Sequence, residues 1–339
     1  MLARDRLTRP AIIATARRWR VPRAVGLVLL LLSLILLARA FWRDAPALGR
    51  LLGGLHLAPA LGALCATLAA SALVIALWRG LLARLGSRLA PGEATAILSL
   101  SYLSRYVPGA IWSFAAIGYL GRRRTIPYRA GAFSLLLAIA MQGLAAILWA
   151  APVVAGSFRA DLGRLWPPFV LLAGGALVLA APATLRLLAR PLGLPQQPNT
   201  RSWWGHSAIQ VAGWLGYWAL SGLAALLLLR AIGVSSLTLP TLIGSVALAW
   251  LGGLLGSVAP AGLGVQDAAL VVILGRITTP EAALAVALLS RVLKTLNDGI
   301  YGLVGLLLYN RLGLANLAEA EPDPHTGDPD GHDRGVNHG

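Results

Sequence analysis

Apolar residues in this chain neither alternate with polar ones nor recur every three or four positions; they run together. Continuous stretches rich in Leu, Ala, Val and Gly occupy about 24–42, 58–78, 131–156, 167–189, 207–229 and 281–309. Each is near or above the roughly 20 residues that an α-helix needs to cross a bilayer. Within hydrocarbon only helices and closed barrels satisfy every backbone donor and acceptor, and barrel strands alternate in polarity. The pattern therefore predicts an all-α, polytopic integral membrane protein with about six spanning helices.

Two further apolar runs are interrupted. The run at about 94–120 breaks at Arg105-Tyr-Val-Pro-Gly109, and the run at about 240–275 breaks at Ser257-Val-Ala-Pro-Ala-Gly-Leu-Gly264. Proline removes a helix donor and glycine tolerates the turn that follows, so both runs are expected to be broken helices or re-entrant hairpins.

Composition sharpens this picture. The chain is 57% hydrophobic and 12% charged, with a mean hydropathy of +0.72. Soluble domains carry about 25% charged residues, so a soluble enzyme domain is excluded. The net charge of +16 comes almost entirely from arginine, since Lys294 is the single lysine. The arginines cluster between apolar runs, as in cytoplasmic loops facing anionic lipid, and not as in a nucleic-acid groove. Cys65, the single cysteine, rules out a disulfide within the chain and reads as a small buried hydrophobe. Residues 1–23 form a basic cytoplasmic N-terminus. Arg39 and Arg43 intrude on the one stretch resembling a cleavage site, so the first apolar run reads as an uncleaved span.

Charge also orients the loops. If each broken run returns to its starting side, segments 1–23, 79–93, 121–130, 186–204 and 310 onward are cytoplasmic and hold 18 basic residues before the tail. The opposite segments hold 7. That asymmetry satisfies the positive-inside rule, whereas a crossing at the first broken run would place Arg122-Arg-Arg124 outside. Both termini are then cytoplasmic in a bacterial inner membrane. The membrane domain, about 24–312, divides into halves at about 24–160 and 161–312, each with three spans and one hairpin. Three crossings is an odd number, so the halves are inverted repeats. Paired broken segments in two such halves are a transporter signature, with the site near the midplane. Residues 313–339 carry Glu319, Glu321, Asp323, Asp328, Asp330 and Asp333 among Pro, Gly and His, a composition expected to be disordered. His325, His332 and His338 match no metal-ligand spacing, and no metal or cofactor is expected.

Ionisable groups inside apolar runs are functional candidates because their burial in lipid is costly. Arg105 precedes the first Pro-Gly break, and Asp267 follows the second. Arg291, Lys294 and Asp298 lie at i, i+3 and i+7 of the last helix, on one face that must meet protein or a watery cavity. Two readings stay open. The acids can pair with the cations and lock helices together, or the surplus cation can receive a phosphate, for which arginine's bidentate geometry is suited. Other features carry less. Trp203, Trp204, Trp214 and Trp218 read as interfacial anchors, Gly252 and Gly256 as helix-packing positions, and Asp44 and Glu93 as loop charges at membrane boundaries. Ser104, His206 and Asp267 make a catalytic set only by free choice of residues. No Gly-x-Ser-x-Gly, His-Glu-x-x-His or phosphate-cradling loop occurs, so no enzymatic activity is expected.

Tyr102-Leu-Ser-Arg-Tyr-Val-Pro-Gly-Ala-Ile-Trp112 with its following basic loop, and Ala259-Pro-Ala-Gly-Leu-Gly-Val-Gln-Asp267 with Arg291 and Asp298, resemble the two signatures of one family. This is the lysylphosphatidylglycerol synthase transmembrane-region family, or flippase-like domain family. The resemblance spans about residues 24–312. It implies an inner-membrane protein that handles lipids, with Arg105, Pro108, Gly109, Pro260, Gly262, Gly264, Gln266, Asp267, Arg291, Lys294 and Asp298 as substrate-binding positions. Gln266-Asp267 stands where members often carry glutamate. The soluble synthase domain of two-domain members has no counterpart here, so aminoacyl transfer is not implied. Two expectations follow: a translocase for a phospholipid or lipid-linked precursor, or an accessory subunit partnering an envelope-biosynthesis enzyme.

Overall fold

The computed structural model describes residues 54–104, 111–121, 126–157, 200–235, 237–255 and 265–313. Among them there are eight α-helices and no strand: α1 (Leu57–Arg84), α2 (Pro91–Leu103), α3 (Ile111–Gly121), α4 (Tyr128–Ser157), α5 (Thr200–Ala231), α6 (Leu239–Leu255), α7 (Val265–Gly275) and α8 (Pro280–Arg311). Local chemistry sets several of their ends. Pro91 and Pro280 occupy first-turn positions where a missing N–H costs nothing, and the Thr279 hydroxyl accepts from the Ala282 amide at 3.3 Å. Gly86, Gly233 and Gly313 take φ of 86°, 82° and 62° just beyond α1, α5 and α8, the left-handed step that closes a helix. Glu93, expected as a loop charge, instead caps α2, its carboxylate accepting from the Ala90 amide at 2.9 Å.

Three helices, α1, α4 and α5, are long and apolar enough to cross a membrane. They correspond to the runs at 58–78, 131–156 and 207–229. The run at 281–309 forms the 32-residue α8, which is long enough, but Arg291, Lys294 and Asp298 crowd its centre and remove it from the plainly apolar class. The expected spans at 24–42 and 167–189, the Pro-Gly breaks themselves and the acidic tail beyond Gly313 lie outside the described residues.

α1 and α5 pack side by side in antiparallel register. Gly62 lies under Leu227, Gly216 beside Leu73 and Gly80 beside Gln210, whose amide donates to the Leu77 carbonyl at 3.0 Å. At one end of the pair, the His56 amide donates to the Ala231 carbonyl at 2.8 Å. The other extensive contacts come in matched sets. α2 lies on α8 as α6 lies on α4, α3 on α4 as α7 on α8, α2 on α3 as α6 on α7, and α1 on α2 as α5 on α6. The same exchange relates α1 on α4 to α5 on α8, and α1 on α8 to α5 on α4. Close approach depends on small residues. A Cβ on Gly222 would sit 2.6 Å from the Ile243 Cα, and one on Gly244 would sit 2.5 Å from the Trp149 carbonyl oxygen.

Two sequence expectations change here. Trp214 and Trp218 are each 1% exposed and belong to the core, not to an interface. α5 begins at Thr200, well before the apolar run, so both indoles sit mid-helix instead of near an end. Trp218 donates to the Gln142 carbonyl at 3.0 Å and stacks edge-on with Trp250 at 5.5 Å. Cys65 is exposed, because Ala63 and Ala66 take the inward face of α1 at that level.

Candidate functional site

A cavity of about 300 Å3 lies at mid-height of the bundle. α1 contributes Thr67 and Ser71, α5 contributes Tyr217, Trp218 and Ser221, and α8 contributes the segment Ser290–Asp298. These stretches fall near the middle of α1 and α8, so the cavity is remote from both helix ends. α2, α4, α6 and α7 add Tyr102, Gln142, Trp250 and Gln266 with Asp267. The walls therefore come from both sets of four helices.

Five residues singled out in the sequence line this one cavity: Gln266, Asp267, Arg291, Lys294 and Asp298. Helical spacing explains the last three, since i, i+3 and i+7 return to one side of α8. Asp267 stands in the first turn of α7, and its carboxylate accepts from the Arg291 guanidinium at 2.9 Å. The pair keeps 26% and 21% of its side-chain surface accessible, so it borders the cavity without being sealed from it. Asp298 is buried, and the neighbouring Asn297 amide donates to it at 3.3 Å. Lys294 is exposed, one turn before Asp298, and marks where the cavity meets the molecular surface. Leu296, Ile300 and Leu303 are exposed on the side of α8 turned away from this lining face. Arg105, Pro108, Gly109, Pro260, Gly262 and Gly264 lie outside the described residues.

Several lining residues escaped the sequence reading. Thr67 and Ser71 on α1, and Tyr217 and Ser221 on α5, are each four apart and form short polar stripes in otherwise apolar helices. That spacing was a usable signal. Gln142 and Trp250 had none, because only the packing of α4 and α6 brings them to the cavity. Chemically the arrangement offers a fixed guanidinium, an ammonium at the mouth, two carboxylates, neutral hydroxyl and amide groups, and an aromatic wall. It suits a polar group carrying phosphate, which arginine and lysine both bind. Among the described residues no group of three or more His, Cys, Asp and Glu side chains is placed to hold a metal ion. No protein-family model matches the chain, and no curated protein matches it.

Proposed function

We propose that this protein is a lipid translocase-like protein of a bacterial inner membrane, with two inverted halves that enclose a site for a phosphate-bearing headgroup. The observation that carries the reading is the charged cavity at mid-height, lined by helices of both groups, α1–α4 and α5–α8. A lipid headgroup is polar while its chains are not, so a polar chamber inside an otherwise apolar helix bundle suits that molecule. Arg291 and Lys294 contact phosphate, and Asp267 and Asp298 orient them or meet a cationic substituent. The inverted-repeat reading draws on the matched contacts of α1–α4 and α5–α8 and on the antiparallel register of α1 and α5. The re-entrant reading draws on helix length. Among the described residues α2, α3 and α7 span 13, 11 and 11 residues, and at about 1.5 Å per residue these stretches are shorter than the roughly 30 Å hydrocarbon layer. The two broken motifs, which resemble the signatures of the flippase-like family, point the same way.

The accessory-subunit reading draws on the Arg291–Asp267 pair, because charges that only join helices need no substrate. The cavity beside that pair favours translocation. The deciding measurement is movement of a fluorescent phospholipid between the leaflets of proteoliposomes, for the native chain and for Arg291→Ala and Lys294→Met. Native movement that falls at least tenfold in folded variants supports translocation through this site. Native protein that moves no lipid in a broad headgroup panel leaves the accessory reading in its place.

A further inference from the structure

A second cavity, of about 20 Å3, lies beside the large one between α1, α2 and α8. Ser71, Tyr102, Asn297 and Asp298 border both, so the small cavity is a side pocket of the chamber. Two of its polar walls are Ser99 and Asn297, only 5% and 6% exposed. The Ser99 hydroxyl oxygen and the Asn297 carbonyl oxygen have no hydrogen-bond partner among the described residues. A buried polar atom left without a partner is costly, and native structures rarely keep one without a ligand or water to meet it.

The chemistry of the pocket is one-sided. The Asn297 amide nitrogen must face the Asp298 carboxylate, to which it donates, and this turns the Asn297 oxygen away as an acceptor. Tyr301 spends its proton on the Leu68 carbonyl at 2.9 Å, so its oxygen also offers lone pairs. With the Asp298 carboxylate and the hydroxyls of Ser71, Ser99 and Tyr102, which can turn a lone pair inward, the polar wall offers oxygens around one anionic group. Arg291 and Lys294 border the large chamber and not this pocket. The small pocket thus has an anionic wall and, among the described residues, no lining cation. A volume of about 20 Å3 is near that needed for a single water, which a dehydrated sodium ion or an –NH3+ group also fits and a trimethylammonium group does not.

We propose that the pocket bounded by Ser99, Asn297 and Asp298 is a binding site for a small hard cation, either a free monovalent ion such as sodium or a primary ammonium on a lipid headgroup. The second source rests on the translocase reading; the binding itself does not. The test is thermal unfolding of the full chain in detergent at constant ionic strength, with tetramethylammonium chloride replaced by sodium chloride or by ethylammonium chloride. Sodium or ethylammonium raises the native Tm by about 2–4 °C at ten times its Kd, and tetramethylammonium does not. A response to sodium alone assigns a free ion; a response to ethylammonium assigns a headgroup amine. Asn297→Leu abolishes the shift, and Ser99→Ala, a smaller change that keeps the fold, weakens the apparent affinity about fivefold. Equal Tm values in all three salts mean that the pocket holds water only and overturn the proposal, as does a shift that survives in both variants. No lipid movement enters this readout, so its failure leaves the translocase reading to its own experiment.

Discussion

The Arg291–Asp267 pair ties the first turn of α7 to the middle of α8, and its partial exposure sets what it contributes. Interhelical polar contacts in membranes contribute about 0.6–2 kcal/mol, because the separated helices find other partners. Arg291→Ala and Asp267→Asn are therefore each expected to destabilise the chain by about that amount. Because the two changes break one contact, the double variant should lose little more than the worse single one. A double-mutant cycle on reversible unfolding in mixed micelles measures this; strictly additive losses would show that the two residues act apart. This pairing was partly legible in the sequence, since a charge inside an apolar run must find company. Which anion met which cation was not, because the choice depends on how α7 lies against α8. The tryptophans mark the limit of such reading. Trp214 looks like an anchor when judged by its nearness to the start of the apolar run, but helix ends are set by capping and loop geometry that hydropathy does not register.

At the scale of elements, the helices at 58–78, 131–156 and 207–229 were legible because their apolar runs are long, whereas their exact ends were not. Their partners were not legible, because in lipid every apolar face is equally content and small residues decide which faces approach. Gly222 makes that argument testable. A methyl group there would lie 2.6 Å from the Ile243 Cα and 2.8 Å from its nitrogen, and backbone cannot swing aside as a side chain can. Gly222→Ala should thus push α5 from α6 and cost about 1–3 kcal/mol, in the range of overpacked cores. Gly216, on the same helix, would place its methyl 3.7 Å from a Leu73 methyl, an ordinary contact. Gly216→Ala should be neutral, or stabilising by up to about 1 kcal/mol through helix propensity. Unfolding midpoints of the two variants decide it, and equal effects would mean that helix propensity, not packing, governs both sites.

For the molecule as a whole, the described contacts sort the helix ends into two groups, and charge supplies a testable orientation for them. The antiparallel register brings His56 and Ala231 to one end of the bundle. α2 starts just after α1 ends, and Gly92 lies near Leu312, so the start of α2 and the end of α8 share the opposite end. Arg79, Arg84, Arg88 and Arg311 gather at that second end, while Arg230 and Arg276 mark the first. If basic ends stay in the cytoplasm, the first end faces outward. Cys65 can be replaced by alanine with little loss, because its side chain is exposed. In that background, single cysteines at Arg88 and Arg311 should react with an impermeant thiol reagent only after the membrane is opened. Cysteines at His56 and Arg276 should react in intact cells. A cysteine at Arg311 that labels from outside would detach the end of α8 from the end of α1 and remove the inverted arrangement of the two halves. Labelling of all four from one side would do the same, since α1 and α8 would then fail to cross. The expected split instead leaves the charged segment of α8 midway between the two faces, the depth at which a headgroup must be held if it is to pass from one leaflet to the other.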